Sequence, residues 1–202
     1  MLIIGITGPT GAGKTTALNA RRDLGAAVLD CDEVYHDLTN RPGLMMDDLR
    51  RRFGDAIFDE QGNFQRRALG SIVFGDEQAL ADLNAITHHY INDEVDAAIE
   101  KARQEGRPAA AVDAIALLDS ELVDKCGCTV AVTAPDEVRV RRIMARDGIG
   151  EEYARKRIAA QKPTEFFERN SDHVLRNGGE DPAVFYAQAR ALFEELINQG
   201  GQ

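Results

Sequence analysis

The sequence predicts an α/β fold, a parallel sheet with helices on both of its faces, and three observations carry that expectation. Short β-branched or small apolar runs alternate with longer stretches of helical period. The first of these runs, residues 2–7, leads straight into a glycine-rich loop. A helical pattern then leaves that loop near Gly13-Lys14-Thr15.

The remaining elements follow in order. A second strand covers Ala26-Ala27-Val28-Leu29 and ends in Asp30-Cys31-Asp32. From Glu33 to about Lys101 the pattern is mainly helical, broken at Arg41-Pro42-Gly43 and at Asp59-Glu60-Gln61-Gly62-Asn63. A weak, alanine-rich strand is expected at 109–112 and a stronger one at 129–133. Helices are predicted over 138–146, 151–161 and 182–198, and Gln199-Gly200-Gly201-Gln202 reads as a frayed tail. The stretch between the second and third strands is too long for a simple crossover and reads as a substrate-binding insertion. The expected organisation is one domain: a core of 1–32, 107–138 and 170–198, a helical acceptor-binding region over 33–106, and a lid over 139–169.

Length and composition set outer limits. A chain of 202 residues suits one compact domain, and 44% hydrophobic content is ordinary for a globular protein. The formal net charge of −10 argues against a protein that coats nucleic acid or an anionic membrane. Three cysteines make no disulfide framework, and Cys126-Gly127-Cys128 reads as small residues beside a strand rather than a zinc site. The N-terminal stretch has neither a basic leader nor a membrane-length apolar run, so a cytoplasmic location is expected.

Gly8-Pro9-Thr10-Gly11-Ala12-Gly13-Lys14-Thr15 fits G-x-x-x-x-G-K-[ST] at every defined position. Glycines let backbone N–H groups turn inward around a phosphate, and the following helix adds its free amides and positive dipole end. Lys14 is expected to bridge β- and γ-phosphates, with the Thr15 hydroxyl on Mg²⁺. This makes the fold a three-layer P-loop NTPase, with a helical insertion and a helical lid. A GTPase would carry Asn-Lys-x-Asp, which is absent, and a motor needs more chain. A small kinase, of a nucleoside, nucleotide, sugar acid or other small acceptor, is then favoured over a nucleotide-binding regulator that transfers nothing, and such a kinase requires an acceptor base and charge-stabilising arginines.

Asp32, at the C-terminal edge of the second strand, is the base candidate. The competing role is helix capping, but the spacing makes Asp30 the cap, with Glu33 as its partner, and leaves Asp32 free. Between Arg139 and Arg157 lie seven basic and three acidic side chains, a local charge of +4. Arg139, Arg142 and Arg146 fall on one helical face, and Asp147-Gly148-Ile149-Gly150 could hinge a closing lid. A solvated basic face is the alternative. Asp113 reads equally as a carboxylate near Mg²⁺ or as a strand-end turn residue.

Taken together, these residues resemble the dephospho-CoA kinase family. The resemblance runs through Asp30-Cys31-Asp32, Gly62-Asn63-Phe64-Gln65-Arg66-Arg67-Ala68-Leu69, Ile72-Val73-Phe74 and Leu83-Asn84-Ala85-Ile86-Thr87-His88. It continues through Arg142, Arg146-Asp147, Arg157 and Gln161 to Ser171-Asp172-His173-Val174-Leu175-Arg176-Asn177. It implies that Asp32 is the catalytic base, with Lys14, Arg142 and Arg146 acting on the ATP phosphates. Gly8, Pro9, Thr10, Gly11, Ala12, Gly13, Lys14, Thr15 and Thr16 would bind ATP, with Asn177 near adenine. Arg66, His88 and Asp113 would bind the acceptor, dephospho-CoA. The implied partners are ATP, Mg²⁺ and dephospho-CoA, in a monomer or small homo-oligomer. Two departures stand out: Asp113-Ala114-Ile115-Ala116-Leu117-Leu118-Asp119 lacks the family's proline and shortens its glutamate, and His89 replaces a common proline.

Overall fold

A computed structural model describes residues 1–178 and 181–200. The chain separates into two compact units, one of Met1–Leu29 with Ile99–Gln202 and one of Asp30–Ala98.

The first unit is built on the sheet. Its strands are β1 (Leu2–Thr7), β2 (Ala27–Asp30, whose last residue begins the second unit), β3 (Ala109–Asp113), β4 (Cys128–Thr133) and β5 (His173–Arg176). They lie in the order β2-β3-β1-β4-β5. β1 pairs in parallel with β3, Ile6 opposite Asp113, and with β4, Thr7 opposite Ala131; β4 pairs in parallel with β5. β3 and β4 therefore flank β1 on opposite sides, the arrangement that opens a ligand crevice beyond the strands' carboxyl ends.

Helix α1 (Lys14–Arg22) and helix α9 (Pro182–Gly200) supply Ala17, Leu18, Phe185, Ala189, Phe193 and Leu196 to a core shared with Ile4, Ile6, Val130 and Val132. Burying each large apolar side chain contributes about 1.5–3 kcal/mol. β3 is buried at every position, which explains its alanines: small side chains let helices approach closely. Arg21 of α1 is also buried there. It donates to the Ala110 carbonyl at 3.1 Å and stacks on the Phe193 ring, and burial pulls its pKa down to about 10. Gly5 of β1 is required by close packing, since a Cβ would meet Leu117 Cδ2 at 2.5 Å and Cys126 Sγ at 2.9 Å. Cys126 thus fills a tight space beside a strand.

The same unit contains α6 (Asp136–Asp147), α7 (Glu151–Ala159) and α8 (Thr164–Arg169). The sequence reading overlooked α8 and β5. The expected tail is helical at Gln199 and Gly200, as the last residues of α9, while Gly201 and Gln202 lie outside the described residues.

The second unit is helical, with α2 (Cys31–Thr39), α3 (Leu44–Phe53), α4 (Arg66–Val73) and most of α5 (Glu77–Gln104). Leu38, Met45, Met46, Leu49, Phe53, Ile57, Leu69 and Val73 form a core of their own. The expected break at 59–63 is a turn in which Asp59 accepts from the Gln61 and Asn63 amides. A further break at Phe74-Gly75-Asp76 is set by Asp76, whose carboxylate accepts from the Ala79 amide and starts α5. Among the described residues no helix is long and apolar enough to cross a membrane.

Candidate active site

The phosphate loop joins β1 to α1, and its conformation depends on glycine. Gly8 has φ 136° and Gly13 φ 106°, in the region L side chains avoid. A Cβ on Gly8 would stand 2.1 Å from the Val132 carbonyl oxygen, and one on Gly13 would stand 2.3 Å from Asn177 Nδ2. Gly13 precedes α1 with no side chain capping the helix, and the Thr16 amide closes the first turn on the Gly13 carbonyl at 3.1 Å.

Side chains outside the loop fix its orientation. Arg139 Nε donates to the Thr10 carbonyl at 2.9 Å. Arg142 Nη1 donates to the Gly11 and Ala12 carbonyls at 3.2 Å, and Asn177 Nδ2 donates to Ala12 at 3.0 Å. Three successive carbonyls are thereby held toward one set of cations and amides. In a trans peptide the C=O and the next N–H point in opposite directions. The N–H groups of Gly11 and Gly13 accordingly point away from those side chains. The Ala12 amide instead closes a turn on the Pro9 carbonyl at 3.3 Å. The Lys14 ammonium donates to the Gly8 carbonyl at 3.0 Å, curling back over the loop. Thr15 is exposed on the first turn of α1 and Thr16 is half-buried.

The three arginines on that face of α6 differ in their surroundings. Arg139 is not on a lid surface: its side chain is 2% exposed and bonded to Thr10, to Asp136 at 2.7 Å and to Gln161 at 3.1 Å. The reason is steric, because Gly11 lets the α6 backbone approach to where a Cβ would lie 3.0 Å from the Arg139 carbonyl. Arg142 is likewise engaged with the loop backbone and with Asn177 Oδ1 at 3.0 Å. Arg146 remains exposed and paired with Asp147, which also accepts from Arg157. Those contacts, Arg146 foremost, hold the Asp147 carboxyl down at about 2.

The rest of the basic run is largely neutralised in place. Arg155 pairs with Glu137 and Glu151, and Lys156 with Glu152. Asp136 and Glu137, which lie outside the span counted from the sequence, lower its excess from +4 to +2. α6 ends at Gly148, in the left-handed conformation, where the hinge was expected.

Asn177 is buried at 5% exposure and bonded through its backbone amide to Thr133 at 2.7 Å, so it braces the loop from β5. Asp113 is 7% exposed at the end of β3. Asp119, in the segment that departs from the family pattern, lies 3.7 Å from Lys162.

The other expected residues belong to the helical unit. Asp30 caps α2, its carboxylate accepting from the Asp32 and Glu33 amides at 2.9 and 3.2 Å, and the Asp32 side chain is exposed. Asp32, Tyr35 and Thr39 recur at i, i+3 and i+7, one face of α2. Arg66 meets that face: its guanidinium lies 5.1 Å from the Tyr35 ring centroid and 3.5 Å from the Thr39 hydroxyl. Burial raises the Tyr35 pKa, and Arg66 opposes the shift. His88 is exposed on α5, and neighbouring His89 faces Asp93 at 3.8 Å.

Comparison with known proteins then decides the family. The dephospho-CoA kinase family model matches residues 2–182. The chain belongs to the dephospho-CoA kinase family. A dephospho-CoA kinase of Corynebacterium diphtheriae is 34% identical over 98% of this chain and 99% of its own. One from Aromatoleum aromaticum is 35% identical over 96% of this chain and 94% of its own. A crystal structure from Thermus thermophilus is similar at TM-score 0.80, with 31% identity over 98% of this chain and 97% of that one. A shikimate kinase of Bacteroides thetaiotaomicron shares the fold at TM-score 0.56 and 16% identity, covering 96% of this chain and 98% of its own. Sequence reasoning reached this family through the order of its motifs. It missed Arg139 as a loop support, for which no local signal exists, and met Gln161 only as part of the family pattern.

Proposed function

We propose that this chain transfers the γ-phosphoryl group of ATP to the 3′-hydroxyl of dephospho-CoA, giving coenzyme A and ADP. The supporting observation is the phosphate loop, whose carbonyls at Thr10, Gly11 and Ala12 are held by Arg139, Arg142 and Asn177, which turns the Gly11 and Gly13 amides away from those side chains and leaves them for phosphate. Such amides bind phosphate oxygens without reorganising, which is how phosphoryl transfer is mainly accelerated.

In this reading Asp32 orients the acceptor hydroxyl and takes its proton as the new O–P bond forms. The bond from the γ-phosphorus to the ADP oxygen breaks, and the electron pair leaves with ADP. Lys14 exchanges its Gly8 contact for the β- and γ-phosphates. Arg142 supports the loop and Asn177 braces it near the adenine side, while Arg146 supplies charge to the transferring group. Arg66 and His88 bind the acceptor, and Asp113 forms part of its wall. The exposed Thr15 hydroxyl suits Mg²⁺, a hard ion that keeps waters and phosphate oxygens and takes few protein ligands. When bound, the ion neutralises phosphate charge. The net charge of −10 fits an enzyme that works on small molecules rather than nucleic acid or membrane. Its proposed setting is the cytoplasm, as a monomer or small homo-oligomer.

A panel of acceptors with ADP detection tests the assignment. Turnover with dephospho-CoA, and at least 100-fold less with nucleosides, nucleoside monophosphates and shikimate, is the expected result. Turnover with one of those and none with dephospho-CoA would reverse it.

A further inference from the structure

One side chain reaches the phosphate loop from a distant part of the chain. Gln161, just beyond the end of α7, accepts from the Thr10 amide through Oε1 at 3.0 Å. The same oxygen accepts from Arg139 Nη2 at 3.1 Å, and Arg139 Nε donates to the Thr10 carbonyl at 2.9 Å. Both backbone polar groups of Thr10 are thus held by two side chains that also hold each other. Arg139 is 2% exposed and anchored by Asp136, so the ring of contacts is closed and fixed at its base. Thr10 is the third residue of the loop, and its carbonyl fixes the direction of the Gly11 amide.

We infer that Gln161 is a positioning residue for phosphoryl transfer, which sets the direction of the loop amides without touching ATP. The Thr10 amide, satisfied by Gln161, is withdrawn from the phosphates, and the Gly11 amide is presented to them. The inference rests on the reading of the loop as the ATP site. Without the Gln161 oxygen, Thr10 loses the acceptor for its amide and Arg139 loses one of its partners. The Thr10–Gly11 peptide can then rotate, and the loop must be re-ordered each time phosphate binds. That cost falls on ATP in the ground state and the transition state alike, so it raises KM rather than lowering kcat.

Gln161 is half-buried and, with Arg139, borders a cavity of about 690 Å³, so a side chain of equal length fits there without overpacking. Gln161→Met keeps length and volume but removes the acceptor. Gln161→Glu keeps an acceptor for both donors. Steady-state kinetics with ATP and dephospho-CoA, alongside thermal melts, distinguish the possibilities. Gln161→Met is expected to raise the ATP KM about tenfold, the size expected for one charge-assisted hydrogen bond. Its kcat and dephospho-CoA KM should stay within twofold, and Gln161→Glu should return the ATP KM to within threefold of the parent. An unchanged ATP KM in Gln161→Met would overturn the inference, whether or not its melting temperature falls. So would a Gln161→Glu variant as impaired as Gln161→Met. Absence of ATP turnover in the parent protein would instead count against the proposed function.

Discussion

The two units hold in opposite ways the residues proposed to act. In the sheet-based unit the phosphate loop is braced from outside by buried polar groups, with Arg139 at 2% and Asn177 at 5% exposure. In the helical unit Asp32, Arg66 and His88 stand exposed on helices whose other faces make the core. The difference follows from the ligands each unit is proposed to take. A triphosphate is a fixed cluster of charge, best met by dipoles that do not move. An acceptor needs a base and cations that can reach it, and exposed side chains leave that reach open.

The largest effect should come from removing the proposed base while leaving the braced loop alone. Asp32→Asn is expected to lower kcat by about 10²–10⁴-fold, with the Kd of ATP within twofold in calorimetry. Weakened ATP binding in that variant would mean that the two sets of residues are not functionally separable in this way.

The complementary test distorts the loop and leaves the helical unit intact. Gly8→Ala forces φ 136° on a residue with a Cβ and drives that Cβ to within 2.1 Å of the Val132 carbonyl oxygen. About 2–4 kcal/mol of stability should be lost, measured by urea unfolding, because the obstacle is backbone that cannot rotate away. ATP binding should fall at least tenfold. Parent-like stability and affinity would show that the loop is far less rigid than its bracing implies.

A smaller effect is expected at Arg66, held against Tyr35 and Thr39. Arg66→Ala should raise the dephospho-CoA KM about tenfold or more, the range for a lost charge-assisted hydrogen bond, and leave the ATP KM unchanged. An equal rise in both constants would remove Arg66 from the acceptor side.

The same contrast explains what could be read from the sequence. The phosphate loop was legible because its requirements are local, with glycines at positive φ and a lysine after them. Asp30 as cap and Asp32 as the exposed acid were legible for the same reason. Arg139 was misread because its burial depends on Gly11 meeting α6, a contact between residues 128 positions apart. β3 looked weak because alanine carries little strand signal, although close packing is what favours it there. β5 was missed because four residues, His173–Arg176, give too short a pattern, and its place is set by tertiary contacts.

Asp172 is the residue that sets β5 in place, and it yields the smallest and most specific prediction. Its Oδ2 accepts from the Thr129 amide and hydroxyl, both at 2.8 Å, while its own amide donates back to the Thr129 hydroxyl at 3.0 Å. These bonds, the Thr129 hydroxyl first, hold the Asp172 carboxyl below its usual range. A depressed carboxylate stabilises the fold above its unfolded pKa of about 3.9, and the contribution is lost as pH falls toward the lower folded value. Asp172 is exposed, so solvent screening limits the effect to less than about 1 kcal/mol. Asp172→Asn keeps an acceptor oxygen but not the charge. Urea unfolding from pH 6 to pH 2 should therefore show the variant less stable above about pH 4, with the two curves converging below it. Curves that stay parallel throughout would mean that shape alone, and not charge, fastens the last strand beneath Asn177.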